Sequence, residues 1–266
     1  MAGEGTTEFW PLLDLVVRTP RLELRLLREV DFPRMVELVD NGIHDPGTMP
    51  FFVAWTDAEP SRRAREAAQW MWRHRANWSP ENWTFTGGVF VDGHLVGVED
   101  LGAERFRAVR SVETGSWLGR AHQGQGIGRE MREAILHLAF AGLGADEALS
   151  GAFEDNAASI ATSRAVGYEE NGEARGRRRD GSGRVAPSAS VWGGPPGRSG
   201  AGGTSRFLGL EACLDMFVGP PLTDWVVAAD RPRRAQVSSS GFSNPCVSSR
   251  PGLRPRPRLE NLPTSQ

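Results

Sequence analysis

Lysine is absent from this 266-residue chain, so all 31 of its Lys-plus-Arg positions are arginine. A phosphate loop of the form G-x-x-x-x-G-K-[ST] needs a lysine at the terminal phosphates, and that class is therefore excluded. Cysteine is nearly absent. Cys213 and Cys246 both lie in the last third, so the remainder carries no disulfide framework and suits a reducing cytoplasm. Tyrosine occurs once, at Tyr168. Long apolar runs are missing too. Nothing approaches the roughly 18 residues of a membrane-spanning helix. The N-terminus also lacks the basic segment and apolar core of a secretory signal.

What is present falls into two materials. Residues 181–266 contain 12 Gly, 11 Pro and 12 Ser, with 10 Arg against 5 acidic residues, while residues 1–180 hold 21 Arg against 28 acidic residues. A segment so poor in periodic apolar residues buries too little surface to offset its ordering entropy. The expectation is a disordered tail over 183–266, apart from one short apolar piece at 207–218.

The most informative stretch is Gln123-Gly124-Gln125-Gly126-Ile127-Gly128. Upstream, residues 111–118 alternate as a strand would. Downstream, Ile127, Met131, Ile135 and Leu138 fall on one helical face. A strand, a glycine turn and a helix N-terminus together offer backbone N–H groups and a positive dipole end to an anion such as a pyrophosphate. The dinucleotide fingerprint G-x-G-x-x-G fails, because Arg129 stands where its third glycine belongs. The spelling that fits is Q/R-x-x-G-x-G/A, on Gln123, Gly126 and Gly128.

That spelling resembles the acetyl-CoA signature of the GNAT N-acetyltransferase superfamily. A second element agrees: Asn156, Ser159 and Ile160 open a short helix that ends at Val166-Gly167-Tyr168, with Asn156 as N-cap and Gly167 beyond the C-terminus. Trp117-Leu118-Gly119-Arg120 and His137-Leu138-Ala139-Phe140 resemble the branch that acetylates ribosomal-protein alanine or serine N-termini. The resemblance implies an α/β fold with a mixed, mostly antiparallel central sheet flanked by helices, over residues 19–182 after an 18-residue extension. The residues read in the same order. A strand spans 19–26, and Asp31 caps a helix. Ser61 opens an arginine-rich helix to about residue 77. Strands at 83–91 and 94–98 flank an Asp92-Gly93 hairpin turn. Further strands follow near 109–118, 148–153 and 168–175.

The family's seventh strand is not expected here. Recognisable pattern stops near Arg179-Asp180-Gly181, and the nearest candidate, residues 184–192, carries Pro187 in its middle, which a central strand does not tolerate. Two origins fit this break: translation of a GC-rich gene in a shifted frame, or a genuine disordered extension. Sequencing the locus separates them.

The implied chemistry is transfer of acetyl from acetyl-CoA to an amine, either a protein N-terminal α-amine, such as that of a ribosomal protein, or a small amine. The resemblance places the cofactor on Leu118, Gln123, Gly124, Gln125, Gly126, Ile127, Gly128, Asn156 and Ser159, with a backbone N–H near Leu118 polarising the thioester carbonyl. No metal is implied. Many relatives carry a tyrosine, aimed at the sulfur, where this chain has Ser163; the ribosomal-protein branch tends to use serine there. For the base, Glu113 ranks first, with Glu99, Asp100 and bulk water as competitors. The alternative to an active transferase is a defective or noncatalytic CoA-binding module that lacks its seventh strand.

Other features point to bland roles. The run Arg62–Arg75 reads as a solvated helix face. Trp55, Trp70, Trp72, Trp78 and Trp83 read as core or groove wall. The Arg/Pro segment 231–258 has no aromatic platform, so no nucleic-acid partner is expected, and no membrane.

Overall fold

The computed structural model describes residues 6–177, 183–192 and 205–219. A short helix α1 (Thr6–Phe9) leads to β1 (Val16–Arg18) and β2 (Glu23–Leu26), followed by α2 (Phe32–Asp40) and α3 (Pro60–Ala76). The hairpin β3 (Asn82–Val91) and β4 (His94–Glu104) comes next, then one helical turn, α4 (Phe106–Val109), and β5 (Ser111–Leu118). After these come α5 (Ile127–His137), β6 (Glu147–Gly151), α6 (Ala157–Ala165) and β7 (Glu169–Arg177). The described chain ends with β8 (Gly183–Trp192), β9 (Arg206–Leu208) and α7 (Leu210–Val218). All strands form one sheet, ordered β7-β8-β6-β5-β4-β3-β2-β1-β9. Only β5 and β6 run parallel; the other neighbours are antiparallel. The expected mixed, mostly antiparallel sheet with flanking helices is the observed one.

Local chemistry sets most boundaries. Of the strand expected over 19–26 only Glu23–Leu26 is strand, and β1 precedes it at Val16–Arg18. Residues 19–22 turn, Pro20 having no N–H for a ladder and the Thr19 N–H bonding back to Leu22 O at 2.9 Å. Asp92 and Gly93 both take positive φ, 48° and 78°, as a two-residue hairpin turn demands. The return strand runs longer than expected. It also carries a bulge: Val89 pairs with Gly97 and Phe90 with Leu95, so Val96 is the extra residue. Asp31 does not cap α2. Its carboxylate instead takes the Arg25 guanidinium at 2.8 and 2.9 Å and the Arg28 N–H at 2.8 Å. At α3 the cap is Glu59, which accepts from the N–H groups of Ser61 and Arg62.

The seventh strand exists, against the sequence-based expectation. The strand β8 lies between β6 and β7. Its ladder with β6 reaches only as far as Ser188 opposite Gly151, so Pro187 has a neighbour on one side alone, Glu173 of β7. Pro187 therefore sits past the end of the β6 ladder, where the strand is locally an edge, a position that tolerates proline.

The outer parts of the chain also join the fold. Leu12, Leu15 and Val17, within the expected N-terminal extension, are fully buried. Beyond residue 204, the apolar piece anticipated in the tail pairs with β1 through β9, Val16 opposite Leu208. Helix α7 then buries Cys213 and Phe217 completely. Trp78 Nε1 donates to Met216 O at 2.8 Å and Trp83 Nε1 to Phe217 O at 3.1 Å. Gly209 has φ +74°, and a Cβ there would meet Asp14 O at 2.5 Å. Gly209 and the buried pair Cys213 and Phe217, four residues apart on one face of α7, fit this segment to the rest of the fold. Of the disorder expected over 183–266, residues 193–204 and 220–266 lie outside the described residues, and 183–192 form β8.

The sheet has a core on each face. One joins Leu24, Phe85, Leu101, Val112, Ile135 and Phe217; the other joins Met35, Val39, Met71, Leu95, Val98 and Trp117 beneath α2 and α3. No helix among the described residues is long and apolar enough to cross a membrane.

Candidate active site

The parallel pair at the sheet centre opens like a V. Strands β5 and β6 are paired from Ser111–Glu147 to Thr114–Ser150, and β5 then continues to Leu118 without β6. Its other edge stays paired with β4 as far as Leu118 opposite Gly97. The Gly119 N–H bonds back to Val96 O at 3.0 Å. Alternation along the strand therefore turns the Leu118 N–H the opposite way, into the opening. Gln123 holds the mouth of the V: its Nε2 donates to Leu118 O and to Ile43 O, each at 2.9 Å.

The glycine turn closes the wide end. Gly124 and Gly126 take φ of 72° and 79°, the left-handed region that glycine enters without penalty. The Gly126 carbonyl accepts from the Glu130 N–H at 3.1 Å, while the first N–H groups of α5 have no intrahelical acceptor. A Cβ built on Gly124 meets nothing within 4 Å, and one on Gly128 meets only Leu118 Cδ1 at 3.7 Å. The turn thus encloses open space that a side chain would fill. Arg21 stands at its rim, its Nη1 3.3 Å from Gln125 O and its guanidinium paired with Glu130 at 2.5 Å. Free N–H groups at a helix N-terminus next to open space are the kind of position that takes an anion.

Asn156 caps α6, its Oδ1 accepting from the Ser159 N–H at 3.2 Å, which leaves its Nδ2 to donate elsewhere. Ser163 is buried and accepts from Arg132 Nη1 at 3.3 Å. Arg132 comes from α5 and had no assigned role. Nearly inaccessible, it bonds Ser150 on β6 at 3.2 Å and Ser116 on β5 at 2.7 Å. One guanidinium thus ties both arms of the V to α6. Tyr168 packs at the start of β7, as expected, with its hydroxyl 2.9 Å from Thr114 Oγ1 and its pKa pushed up to about 12 by burial.

The three candidate bases fall on two faces, Glu99 on one and Asp100 with Glu113 on the other. Glu99 looks toward α5, fully buried, with Oε1 3.2 Å from Arg132 Nε in a contact not aligned as a hydrogen bond. Burial raises its pKa to about 8, Arg132 acting against the rise and Asp100 with it. Asp100 looks the other way, into a groove of about 630 Å³ between α2, α3 and the sheet. Glu113 is half-buried on the same face of β5 as Trp117 and lies outside that groove's lining. The structure thus brings Asp100, rather than Glu99 or Glu113, to the groove beside the open end of β5.

Buried Glu99 carries a pH signature. Its folded pKa lies above the ordinary 4.5, so the folded state keeps a proton that the unfolded state releases, and the resulting stability is lost as pH rises through about 8. His74 acts oppositely: burial, aided by Arg73, lowers it from 6.5 to about 4, so its contribution rises with pH across that interval. Above pH 6.5 only the Glu99 slope remains of the two. Unfolding free energy is expected to fall by up to about 1.4 kcal/mol per pH unit between 6.5 and 8. In Glu99→Gln that slope should disappear; equal slopes in chemical denaturation would rule out a neutral Glu99.

A mixed sheet with a splayed parallel pair, a glycine turn and a helix N-terminus at its mouth is the architecture of an N-acyltransferase fold. Residues 21–169 match the family model described as an acetyltransferase (GNAT) domain, more than half of the chain, so the chain belongs to the GNAT acetyltransferase family. Among solved structures it resembles Mycobacterium smegmatis RimJ in complex with CoA-disulfide, at TM-score 0.58 and 21% identity, over 72% of this chain and 93% of that one. It also resembles RimL, a ribosomal L7/L12 α-N-protein acetyltransferase in complex with coenzyme A, at 0.52 and 18%, over 66% and 97%. A third is the Salmonella typhimurium acetyltransferase that modifies the N-terminal serine of the 50S ribosomal protein L7/L12, at 0.54 and 19%, over 65% and 96%.

Proposed function

We propose that this chain transfers the acetyl group of acetyl-CoA to a primary amine. The observation that carries the reading is the V between β5 and β6, with the Leu118 N–H turned into it and the glycine turn at its mouth. The N–H groups at the start of α5, with Arg21 beside them, would take the pyrophosphate. Gln123 sets the turn against β5, and Asn156 Nδ2 would bind the carrier from the α6 side. The Leu118 N–H would donate to the thioester oxygen as negative charge develops on it.

In the transfer, the amine nitrogen bonds to the carbonyl carbon and the carbon–sulfur bond breaks. The thiolate takes a proton, for which Ser163 is the candidate donor, and the amine loses one to Asp100, Glu113 or water. The second reading, a noncatalytic module, rested on a missing seventh strand, and β8 removes that ground. The ribosomal-protein acceptors of the RimJ- and RimL-like structures make a protein α-amine one acceptor to test, with small amines as the other.

The test is thermal unfolding of the full chain with acetyl-CoA. A ligand that binds only the folded state adds about 2.7 kcal/mol at 100 times its Kd. An upward shift with acetyl-CoA, with thiol released only when an amine is added, is the expected result. A melt indifferent to acetyl-CoA would sink the proposal.

A further inference from the structure

The groove facing α3 carries a chemistry that narrows the acceptor, an inference that rests on the transferase reading above. Its walls are Trp55, Trp70 and Trp117, with Met35 beside them, and its floor holds Thr86 and Asp100. Thr86 and Asp100 are directly opposite each other across β3 and β4, and Asp100 is in turn opposite Gly115, where β5 leaves β6. The floor therefore abuts the place where the Leu118 N–H enters the V. Trp55 and Trp117 lie with ring centroids 6.2 Å apart, and Phe51 extends the stack, 5.4 Å from Trp55.

Two polar atoms in this wall lack protein partners. Trp55 Nε1 and Thr86 Oγ1 are buried with no hydrogen bond among the described residues. Thr86 is only 6% exposed. Buried polar groups are rarely left unpaired without a reason such as a ligand. A hydroxyl and a carboxylate at the bottom of an aromatic slot suit a protonated amine, and aromatic faces attract a cation passing over them.

Shape chooses between amines. Asp100 is 1% exposed, so an amine reaching the floor must pass the tryptophans on a slim arm. A protein α-amine sits instead on a branched carbon, between a side chain and a peptide bond. The charges at the mouth balance: Arg62, Arg63 and Arg73 line it with Asp57, Glu66 and Asp100, and Arg62 pairs with Glu66 and Arg63 with Asp40. The single cation of a small amine therefore finds its carboxylate at the floor, at Asp100, and the apolar walls take an uncharged remainder.

The geometry points to a small arylalkyl primary amine as the acceptor. Its ring lies among Trp55, Trp70 and Trp117, its ammonium reaches Thr86 and Asp100, and its nitrogen is presented to the open end of β5.

The test compares 2-phenylethylamine with a tetrapeptide bearing a free N-terminal serine, each with acetyl-CoA and the full chain. The expected kcat/KM favours the arylalkyl amine by about tenfold or more, the scale of 1.4 kcal/mol. Trp55→Leu and, separately, Trp70→Leu should lower that preference by a similar factor while the acetyl-CoA melting shift persists. Asp100→Asn should weaken amine binding, read without chemistry as quenching of tryptophan fluorescence. A peptide used as well as or better than the amine overturns the assignment, as does a preference untouched in both tryptophan variants that still fold. If acetyl-CoA shifts the melt but the peptide wins, the transferase reading stands and this one falls. If no acetyl-CoA shift occurs yet 2-phenylethylamine quenches fluorescence in an Asp100-dependent way, the groove assignment stands and the transferase reading falls.

Discussion

Deleting residues 205–266 is expected to leave a chain that does not fold cooperatively. The loss removes Phe217 and Cys213 from the core, uncovers Trp83, and leaves the indole N–H groups of Trp78 and Trp83 without their carbonyl partners. Truncating one buried phenylalanine costs about 3–5 kcal/mol, against a total stability of roughly 5–15 kcal/mol for a domain. Circular dichroism melts decide the matter. A sharp transition in the shortened chain would show that α7 is ornamental, whereas a chain ending at Gly219 keeps every described contact and should melt cooperatively. Phe217→Ala in the full chain is the milder form and should lower the unfolding free energy by the single-residue amount.

Gly128→Asp is expected to separate folding from cofactor binding in opposite directions. Gly128 lies in the first turn of α5, and its added Cβ would meet only Leu118 Cδ1 at ordinary contact distance. Replacing a helical glycine relieves part of a cost near 1 kcal/mol. A carboxylate in the first turn adds about 0.3–1 kcal/mol through the helix dipole. The apo melt should therefore hold or rise. The same carboxylate occupies the concavity that would take a pyrophosphate and repels it, so acetyl-CoA affinity should drop by about 100-fold or more, near 2.7 kcal/mol. Calorimetric titration reads this directly. Unchanged affinity would place the cofactor somewhere other than the glycine turn.

Much of the frame was legible from the chain alone, for identifiable reasons. Asp92-Gly93 spells a hairpin turn, residues 111–118 alternate, and Ile127, Met131 and Ile135 keep helical spacing. Each is a local signal that the structure leaves in place. The seventh strand was not legible, because Pro187 argues against a central strand unless one knows that β6 stops short of it. The docking of α7 was equally hidden. Its apolar composition stands out from the tail, but its fit depends on Asp14 O, Trp78 and Trp83, which lie far away in sequence. Within the site, the glycine turn and Asn156 could be read from spelling. Arg132 could not: an arginine on a helix defaults to solvent, and only the topology brings Glu99, Ser116, Ser150 and Ser163 around it. Glu113 and Asp100 share a face of the sheet, so strand parity does not separate them; the cover of α2 and α3 over Asp100 does.

The pairing of Val16 with Leu208 has a kinetic consequence. The first and last strands of the described fold are neighbours, so the edge of the sheet at β1 stays bare until nearly all of the domain has been synthesised. Contacts of such sequence separation slow folding, since loop-closure entropy must be overcome before they reward the chain. During that delay Trp78, Trp83 and the β1 edge remain available to other chains, as they do in aggregation-prone intermediates. Refolding from denaturant should therefore have a slow final phase, reported by tryptophan fluorescence, whose yield falls as protein concentration rises.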